Sequence, residues 1–323
     1  MKDPSNAQKP AAPLDWRPST QSLGALTAYC PLSTFSVFKR SIVITTPDLT
    51  SGTVRRPAVT LLLSLDNSPF SLTVNGVRVD RARAVVVGDL KARSLQAVGC
   101  ELASINVEPG HPLFVPLRQM CASGFRVLRS DALAAWRDHL RAQFLSTQPS
   151  EPESGVLVAL LAPHERLNAI NQIAQSNSRR EDLLAMFETL WPHQISTRRM
   201  ASGLHLSASR LSHLFVEDVG VPLRTYALWR RHRYALENLR NVQSLTELAL
   251  ESGFSDAAHM TRTFVSYFGF PPKAFRQSSR ILVHGAATAQ VPAHLFAHAR
   301  CAIPNLDTMR AQKPTAQRNA VAK

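Results

Sequence analysis

The sequence predicts an α+β protein with a β-rich N-terminal domain, a helical linker and an all-α C-terminal domain. Short runs of β-branched and aromatic residues recur between residues 25 and 129. Apolar residues at helical spacing replace them from Ser130 onward. A segment nearer the C-terminus repeats its pattern of apolar, Gly and Pro positions after 49 residues, in five matched pairs. The length of 323 residues is enough for two domains with separate cores.

The composition describes a globular, basic protein. Hydrophobic residues make up 45% and charged residues 19% of the chain, which excludes collagen-like and wholly disordered proteins. The formal net charge of +14 indicates an anionic partner, either nucleic acid or an acidic membrane surface. The cysteines have no short spacing, which predicts buried or inert reduced thiols and neither a zinc cluster nor a disulfide framework. They are Cys30, Cys100, Cys121 and Cys301.

The sequence predicts no membrane span and no secretory signal. The longest apolar run, Gly155 to Ala162, is less than half of the roughly 20 residues that a spanning helix needs. The segment from Met1 to Pro13 is polar and has no apolar core. We therefore expect a cytoplasmic protein.

Residues 1–24 are expected to be a flexible tail, and residues 25–129 a β-rich domain. Its predicted strands are Thr34 to Thr46, Val59 to Leu65, Phe70 to Asp80, Ala84 to Val87 and Leu102 to Val107. The third of these contains Asn75-Gly76 between alternating apolar residues, and this dipeptide suits the two positive φ angles of a type I′ hairpin turn.

Residues 130–180 are predicted to be a helical linker and a potential dimerisation region. A helix begins after Ser130, and a polar segment with two prolines follows from Ser146 to Ser154. Further helices are indicated by two apolar sets, which are Leu167, Ile170 and Ile173, and then Leu183, Leu184, Phe187 and Leu190. Residues 181–279 form the next domain, and residues 280–323, rich in Ala, Pro and Gln, are predicted to be mostly disordered.

The internal repeat defines two units with the same plan. The matched pairs are Leu211 and Met260, Phe215 and Phe264, Gly220 and Gly269, Pro222 and Pro271, and Tyr226 and Phe275. In each unit a capped short helix, a tight turn and a second capped helix follow one another, which is a helix-turn-helix. The predicted caps are Ser196 and Ser207 in the first unit, and Ser244, with Glu247 in a capping box, and Ser255 or Asp256 in the second.

These residues resemble the AraC/XylS family of transcriptional regulators over roughly residues 181 to 279. The resemblance includes Leu206-Ser207, Leu214-Phe215, Glu247-Leu248-Ala249, Gly253-Phe254-Ser255, Phe268-Gly269 and Pro271-Pro272. It implies that a cupin-like N-terminal β-barrel senses a signal and that the C-terminal domain reads DNA. Residues 25–129 contain a single histidine, His111, so the usual cupin metal site is missing and no cofactor is expected. A ligand pocket and a pure interaction surface both remain open for this domain.

The outward positions of the two second helices are the candidate base contacts. They are Ser209, Arg210, Ser212 and His213 in the first helix, and Ala258, His259, Thr261 and Arg262 in the second. Arg262 is the strongest candidate, because arginine donates two hydrogen bonds to guanine, although it can also bind phosphate. The alternative for each residue is an ordinary solvated helix face.

Contacts with the DNA backbone are assigned to four residues, Ser207, Arg230, Ser255 and Lys273. Arg231 matches a position where the family carries a structural arginine, so a salt bridge is the alternative to a phosphate contact. His232 replaces the leucine that the family pattern has and is interpreted as a packing residue. His205 stands where the first turn usually has glycine, and histidine tolerates the left-handed conformation that such a turn needs.

The sequence therefore predicts a sequence-specific regulator of transcription that binds double-stranded DNA and is not an enzyme. RNA polymerase, a small-molecule effector and a second copy of the chain are left open as further partners. One alternative is a cupin-type binding protein or enzyme, with or without a metal, whose DNA-binding domain is vestigial. Another is a protein that coats nucleic acid nonspecifically through its basic charge.

Overall fold

The N-terminal half folds into two β-sheets that pack face to face. The structure is a computed structural model, and it describes residues 33–128, 137–138, 141–142, 178–278 and 280–284. The strands are β1 (Thr34–Val37), β2 (Ser41–Thr46), β3 (Leu49–Val54), β4 (Val59–Ser64), β5 (Phe70–Val74), β6 (Val77–Ala82), β7 (Ala84–Val87), β8 (Arg93–Ala97), β9 (Leu102–Val107), β10 (Phe125–Val127) and β11 (Arg280–Val283).

One sheet has seven strands in the order β10-β7-β4-β9-β2-β1-β11, and the other has four in the order β3-β8-β5-β6. The α+β fold class predicted from the sequence is confirmed, but the strands form two sheets and do not close into one barrel. The hairpin at Asn75-Gly76 is confirmed, with positive φ angles of 48° and 84° at these residues and Val74 paired with Val77.

Strand β4 shows how the large sheet is buried on both faces. Leu62 packs into the core between the two sheets, together with Leu72 and Leu95 of the small sheet. Its neighbours Leu61 and Leu63 belong to a different core that the helices share. Continuous burial on both faces explains the unbroken apolar run in this strand.

One helix lies between β9 and β10, and the other described helices lie in the C-terminal part of the chain. They are α1 (Phe114–Met120), α2 (Ser178–Glu188), α3 (Thr197–Gly203), α4 (Ala208–Val219), α5 (Leu223–Asn238), α6 (Leu245–Glu251), α7 (Ala257–Phe268) and α8 (Pro272–Ser278), with a 3-10 turn at Pro192–Gln194. The predicted helix around Leu183, Leu184 and Phe187 is α2, and all three side chains are buried.

The helical domain and the β-rich domain share their apolar cores. Phe187 of α2 and Phe215 of α4 lie in one cluster with Phe114 and with residues of the large sheet. Trp229 of α5 and Phe264 of α7 lie in a second cluster with residues of β1 and β2. Each half of the helical domain therefore packs against the β-rich domain.

Strand β11 returns the chain to the N-terminal sheet after the last helix. It pairs in parallel with β1, and the register joins Thr34 to Arg280 and Val37 to Val283. This is a difference from the sequence analysis, which placed these residues in a mostly disordered tail. The apolar triplet Ile281-Leu282-Val283 was too short a signal within the Ala- and Pro-rich segment.

Several predictions lie outside the described residues. These are the N-terminal tail, most of the helix from Ser130, the linker after it, the helix containing Ile170, and residues 285–323. The predicted buried, reduced thiols are confirmed for Cys100 and Cys121, whose pKa values burial raises to about 11 and about 12. In the part of the chain that the structure describes, no helix is both long and apolar enough to cross a membrane.

Candidate nucleic-acid interface

Both helix-turn-helix units begin their helices at the predicted caps. Ser196 and Ser244 accept hydrogen bonds from the backbone N–H of Arg199 and Glu247 at 3.2 and 3.1 Å. Ser207 caps α4 by accepting from the N–H of Arg210 at 3.1 Å. These bonds satisfy N–H groups that the first helical turn leaves free.

The second unit resolves an ambiguity that the sequence left open. Asp256 caps α7, because its Oδ1 accepts from the backbone N–H of His259 at 2.7 Å. The hydroxyl of Ser255 donates to the other Asp256 oxygen at 2.8 Å. The bonds from Ser255 and from the His259 N–H lower the pKa of the Asp256 carboxyl, the latter having the larger effect. Asp256, and not Ser255, is the cap.

The turns of the two units have matching backbones. His205 has a φ of 54° and Gly253 has a φ of 84°, and both angles are left-handed. The N–H of the next residue bonds back to the first helix in each unit, from Leu206 to the Ala201 carbonyl at 2.9 Å and from Phe254 to the Ala249 carbonyl at 2.8 Å. The expectation that His205 adopts the conformation of the usual glycine is confirmed.

The sequence repeat is a structural repeat with a single inserted residue. Helices α3 and α6 begin 48 residues apart, whereas α4 and α7 begin and end 49 residues apart. The turn accounts for the change, because four residues separate the helices of the first unit and five separate those of the second. Both second helices end at a glycine with a φ of 88°, Gly220 and Gly269.

The eight candidate base contacts occupy the same four positions of the two helices. At the offset of 49 residues, Ser209 matches Ala258, Arg210 matches His259, Ser212 matches Thr261, and His213 matches Arg262. The Ser209, Arg210, His213, Ala258 and Arg262 side chains are exposed, and the remaining three are partly buried. The opposite faces, with Leu211 and Phe215 or with Met260 and Phe264, are fully buried.

Two of these side chains also make local contacts. The hydroxyl of Ser212 donates to the Ala208 carbonyl at 2.8 Å, which turns it back along its helix. The imidazole of His259 lies 3.2 Å from the hydroxyl of Ser255, and its ring packs edge-on against Phe254 with centroids 5.5 Å apart. His259 thus supports the start of α7, whereas the exposed Arg262 projects from its outer face.

Three arginines of α5 have different surroundings. Arg230 Nη2 lies 3.5 Å from the carbonyl of Glu188 at the end of α2. Arg231 is partly buried, burial lowers its pKa, and its Nε has no hydrogen-bond partner among the described residues. Arg233 is held by Glu108 at 2.6 Å and by Glu237 at 2.8 Å, which places it in the contact between the two domains.

His232 is a packing residue, as the sequence analysis interpreted it. Its side chain is fully buried, and its ring lies 4.5 Å from that of Tyr267 and 5.0 Å from that of Phe254, centroid to centroid. Burial lowers its pKa well below the usual range, and the nearby His259 and Arg231 add to this shift. His232 therefore stays neutral in the folded chain.

The remaining backbone candidates lie at helix starts. Ser207 is committed to its capping bond, Ser255 is exposed beside the cap of α7, and Lys273 is exposed near the start of α8. An anion near such an N-terminus is stabilised by the helix dipole and by free N–H groups.

Sequence reasoning missed the polar contacts that attach this domain to the β-rich domain. Arg40 binds Glu181 and Glu188 of α2 at 2.7 and 3.2 Å. Arg118 donates to the carbonyl of Gly220 at the end of α4 and binds Asp89 at 2.9 Å. These partners lie far apart in the chain, so no spacing in the sequence indicates them.

The β-rich domain offers no clustered metal ligands in the part that the structure describes, where no three His, Cys, Asp or Glu side chains come together. His111 is buried, and its Nδ1 accepts from the backbone N–H of Leu113 at 3.1 Å. Burial lowers the pKa of His111 to about 4, and the charge of Arg40 contributes to this shift. This histidine has a structural role.

The double helix-turn-helix with two exposed second helices defines a DNA-binding domain by its class of fold. Residues 200–278 match the family model described as a helix-turn-helix domain. The Msm operon regulatory protein of Streptococcus mutans serotype c is 27% identical over 130 residues, which cover 38% of this chain and 46% of that protein. The chain thus matches slightly less than half the length of this curated relative.

Solved structures with a similar domain include the C-terminal domain of the response regulator yesN from Fusobacterium nucleatum, at 25% identity over 31% of this chain and 99% of that chain, with a TM-score of 0.29. An AraC-type regulator from Chromobacterium violaceum is 25% identical over 30% of this chain and 87% of that chain, with a TM-score of 0.28. ToxT from Vibrio cholerae is 10% identical over 74% of this chain and 98% of that chain, with a TM-score of 0.46. The family and relative matches agree with the resemblance that the sequence motifs indicated: the chain carries a helix-turn-helix domain over residues 200–278.

Proposed function

We propose that the protein is a regulator of transcription that binds double-stranded DNA at specific sequences through α4 and α7. The observation that carries this proposal is the pair of second helices, which present the same four positions outward, 49 residues apart. An exposed helix face of this kind enters the major groove and contacts base edges. Two such helices in one chain read two successive major grooves, which repeat every 10–10.5 base pairs.

Within this proposal the two units contribute differently. His213 and Arg262 occupy equivalent positions, but arginine donates to both O6 and N7 of a guanine, whereas a neutral histidine offers one donor. At this position the second unit therefore offers the stronger base contact, whereas the exposed arginine of the first unit, Arg210, lies at the position of His259. The backbone contacts fall to Ser255 and Lys273 in particular, and Arg230 contributes less, because it is directed towards the end of α2.

The β-rich domain is proposed to sense the signal that controls DNA binding. Two apolar clusters contain residues of both the β-rich domain and the helical domain. A change in the packing of the β-rich domain therefore reaches each helix-turn-helix unit. The protein is proposed to act in the cytoplasm without an enzymatic step. Dimerisation through the segment from Ser130 remains part of the proposal.

The test is selection of bound duplexes from a random pool with the full-length protein at two salt concentrations. We expect a bipartite motif with half-sites about one helical turn apart, retained at the higher salt. The double variant His213→Ala/Arg262→Ala should lose this motif. Arg78→Ala, which also removes one positive charge but lies on the exposed strand β6, should keep it.

The proposal would be contradicted if the bound duplexes shared no motif and binding disappeared at the higher salt. That outcome would instead favour a protein that coats nucleic acid through its net charge, since phosphate contacts alone depend strongly on salt.

A further inference from the structure

A cleft lies where the two sheets meet the C-terminal end of α7. The empty space in and in front of it, with the open solvent at its mouth included, is about 600 Å³. Its walls are mainly apolar and come from both domains, including Phe35, Ile44, Leu62 and Leu95 of the sheets and Phe268 and Phe270 of the helical domain.

Two buried arginines, Arg56 and Arg93, line this otherwise apolar cleft. Arg56 is only 6% exposed, and Arg93 is only 4% exposed. Arg56 Nη1 donates to Asn106 Oδ1 at 2.8 Å, and Arg93 Nη2 donates to Thr60 Oγ1 at 2.7 Å. Both partners are neutral, so neither compensates the positive charge.

The described residues do not use the full hydrogen-bonding capacity of the two arginines. Arg56 Nε and Arg93 Nη1 are shielded from solvent and have no hydrogen-bond partner within the described ranges. Of the described residues that line the cleft, none is an Asp or a Glu. Burial lowers the pKa of Arg56 to about 10, and burial together with the charge of Arg56 lowers the pKa of Arg93.

Two adjacent buried cations without an anion are energetically unfavourable, because burial removes their hydration and hydrogen bonds to neutral partners replace only part of it. An anion bound between them would supply the missing negative charge and accept hydrogen bonds from the unpaired N–H groups. A guanidinium matches the two oxygens of a carboxylate particularly well. The apolar walls require that the rest of the ligand be hydrocarbon or aromatic, which a bare phosphate or sulfate is not.

We propose that the cleft binds an organic carboxylate with an apolar body, whose carboxylate lies on Arg56 and Arg93 and whose body lies against Phe268 and Phe270. This inference rests on the proposed function, because it supplies the signal to which the regulator responds.

The site is also placed to affect DNA reading. The guanidinium of Arg56 lies 5.9 Å from the ring centroid of Phe268, the last residue of α7. The backbone N–H of Arg55 donates to the carbonyl of Ser266 at 2.8 Å. A carboxylate that binds Arg56 therefore changes the contacts that hold the C-terminal end of α7, which is opposite to the end with the base-reading residues.

The binding test measures thermal unfolding of the full-length protein with octanoate and with 4-phenylbutyrate. The controls are 1-octanol, which keeps the apolar chain without the charge, and inorganic phosphate, which keeps the charge without the apolar body. We expect each acid to raise Tm saturably, by roughly 5 to 10 °C at one hundred times its Kd, and neither control to do so.

Variants separate a ligand site from a structural role. Arg56→Met and Arg93→Met should each abolish the octanoate shift and leave Tm without ligand equal or higher, because an uncompensated buried charge is removed. Arg78→Met on the exposed hairpin should keep the full shift. A large fall in Tm of both variants, with no effect of either acid on the wild type, would overturn the proposal and would mean that a carboxylate of the chain itself neutralises the arginines.

DNA binding is measured separately on the duplex selected above. Octanoate should change its affinity at least about 5-fold, the lower end of ordinary coupling between sites. A DNA motif without any response to the acids would reject the ligand inference alone. Stabilisation by the acids without a DNA motif would reject the proposed function alone.

Discussion

Arg233 and Glu108 form a buried ion pair that joins the two domains, with Arg233 Nη1 lying 2.6 Å from Glu108 Oε2. Arg233 lies in α5, the helix between the two helix-turn-helix units, and Glu108 directly follows β9. The arginine also donates to Glu237 and to the carbonyl of Phe38. The helix that sets the separation of the two units is therefore fixed to the β-rich domain.

Removal of one partner of this pair should be costly. Burial lowers the pKa of Arg233, but the charges of Glu108 and Glu237 have the larger combined effect, so the pKa of Arg233 is raised. Burial also raises the pKa of Glu108. Arg233→Met leaves a buried carboxylate without its partner and should lower the free energy of unfolding by about 3–5 kcal/mol. Urea denaturation measures this loss.

The double variant Arg233→Met/Glu108→Met should recover most of that stability, since both charges are then gone. Arg78→Met, which breaks an exposed ion pair with Asp80, should leave the unfolding midpoint unchanged. If Arg233→Met behaves like Arg78→Met, the pair does not hold the domains together.

His232 should make the protein less stable in mild acid. The pKa of His232 is lowered in the folded chain but is about 6.5 in the unfolded chain. As the pH falls below 6.5, the unfolded chain therefore binds a proton that the folded chain does not, and the free energy of unfolding decreases. Between pH 7.5 and 5.5 the His232→Leu variant should gain about 1.4 kcal/mol relative to the wild type. Urea unfolding at both pH values measures the difference, and parallel pH curves would contradict it.

The two turns should respond differently to substitution. Gly253 has a φ of 84°, and a Cβ built on it lies 2.8 Å from the Cα of His193. Gly253→Val should therefore lower the free energy of unfolding by at least about 1–2 kcal/mol. His205→Gly at the equivalent position should stay within about 1 kcal/mol of wild type, because relief of the left-handed conformation offsets the flexibility of glycine.

The control for the turn variants is Gly203→Ala, since no atom lies within 4 Å of the added Cβ. Thermal unfolding should rank this control above Gly253→Val. Normal stability of Gly253→Val would contradict the proposed role of this turn.

Arg262 should read a base, whereas Lys273 should bind the backbone. Arg262→Ala is expected to weaken binding to the selected site by roughly 1–3 kcal/mol and to relax the preference at one base pair. Lys273→Ala should weaken all sequences about equally and reduce the salt dependence of binding. Fluorescence anisotropy with the selected duplex and its single-base variants distinguishes these outcomes, and an unchanged preference in Arg262→Ala would refute base reading.

The helical domain was largely predictable because its signals are local. Caps such as Ser207, the turn glycine Gly253 and the apolar stripe of Phe215 each depend on residues a few positions apart. The repeat then provided the same evidence twice. The predicted base contacts follow from the same stripe, since the residues opposite it must face outward.

Strand β8 shows why the β-rich domain was harder to read. Arg93, Leu95 and Ala97 point inward, so the strand begins with a charge at a buried position and its alternation of apolar and polar residues is obscured. An arginine in such a position has meaning only when its surroundings are known. The sequence showed two basic residues among many, and the cleft that they line became evident only from the fold.

The amino-acid sequence by itself determined the two helix-turn-helix units and which of their faces turns outward, because helix periodicity and capping are interactions within a few residues. Only the tertiary structure decided the pairing of β11 with β1, the ion pair of Arg233 with Glu108 and the meeting of Arg56 with Arg93. Each of these depends on residues that are distant in the chain and are brought together by burial of the shared cores, which no local pattern encodes.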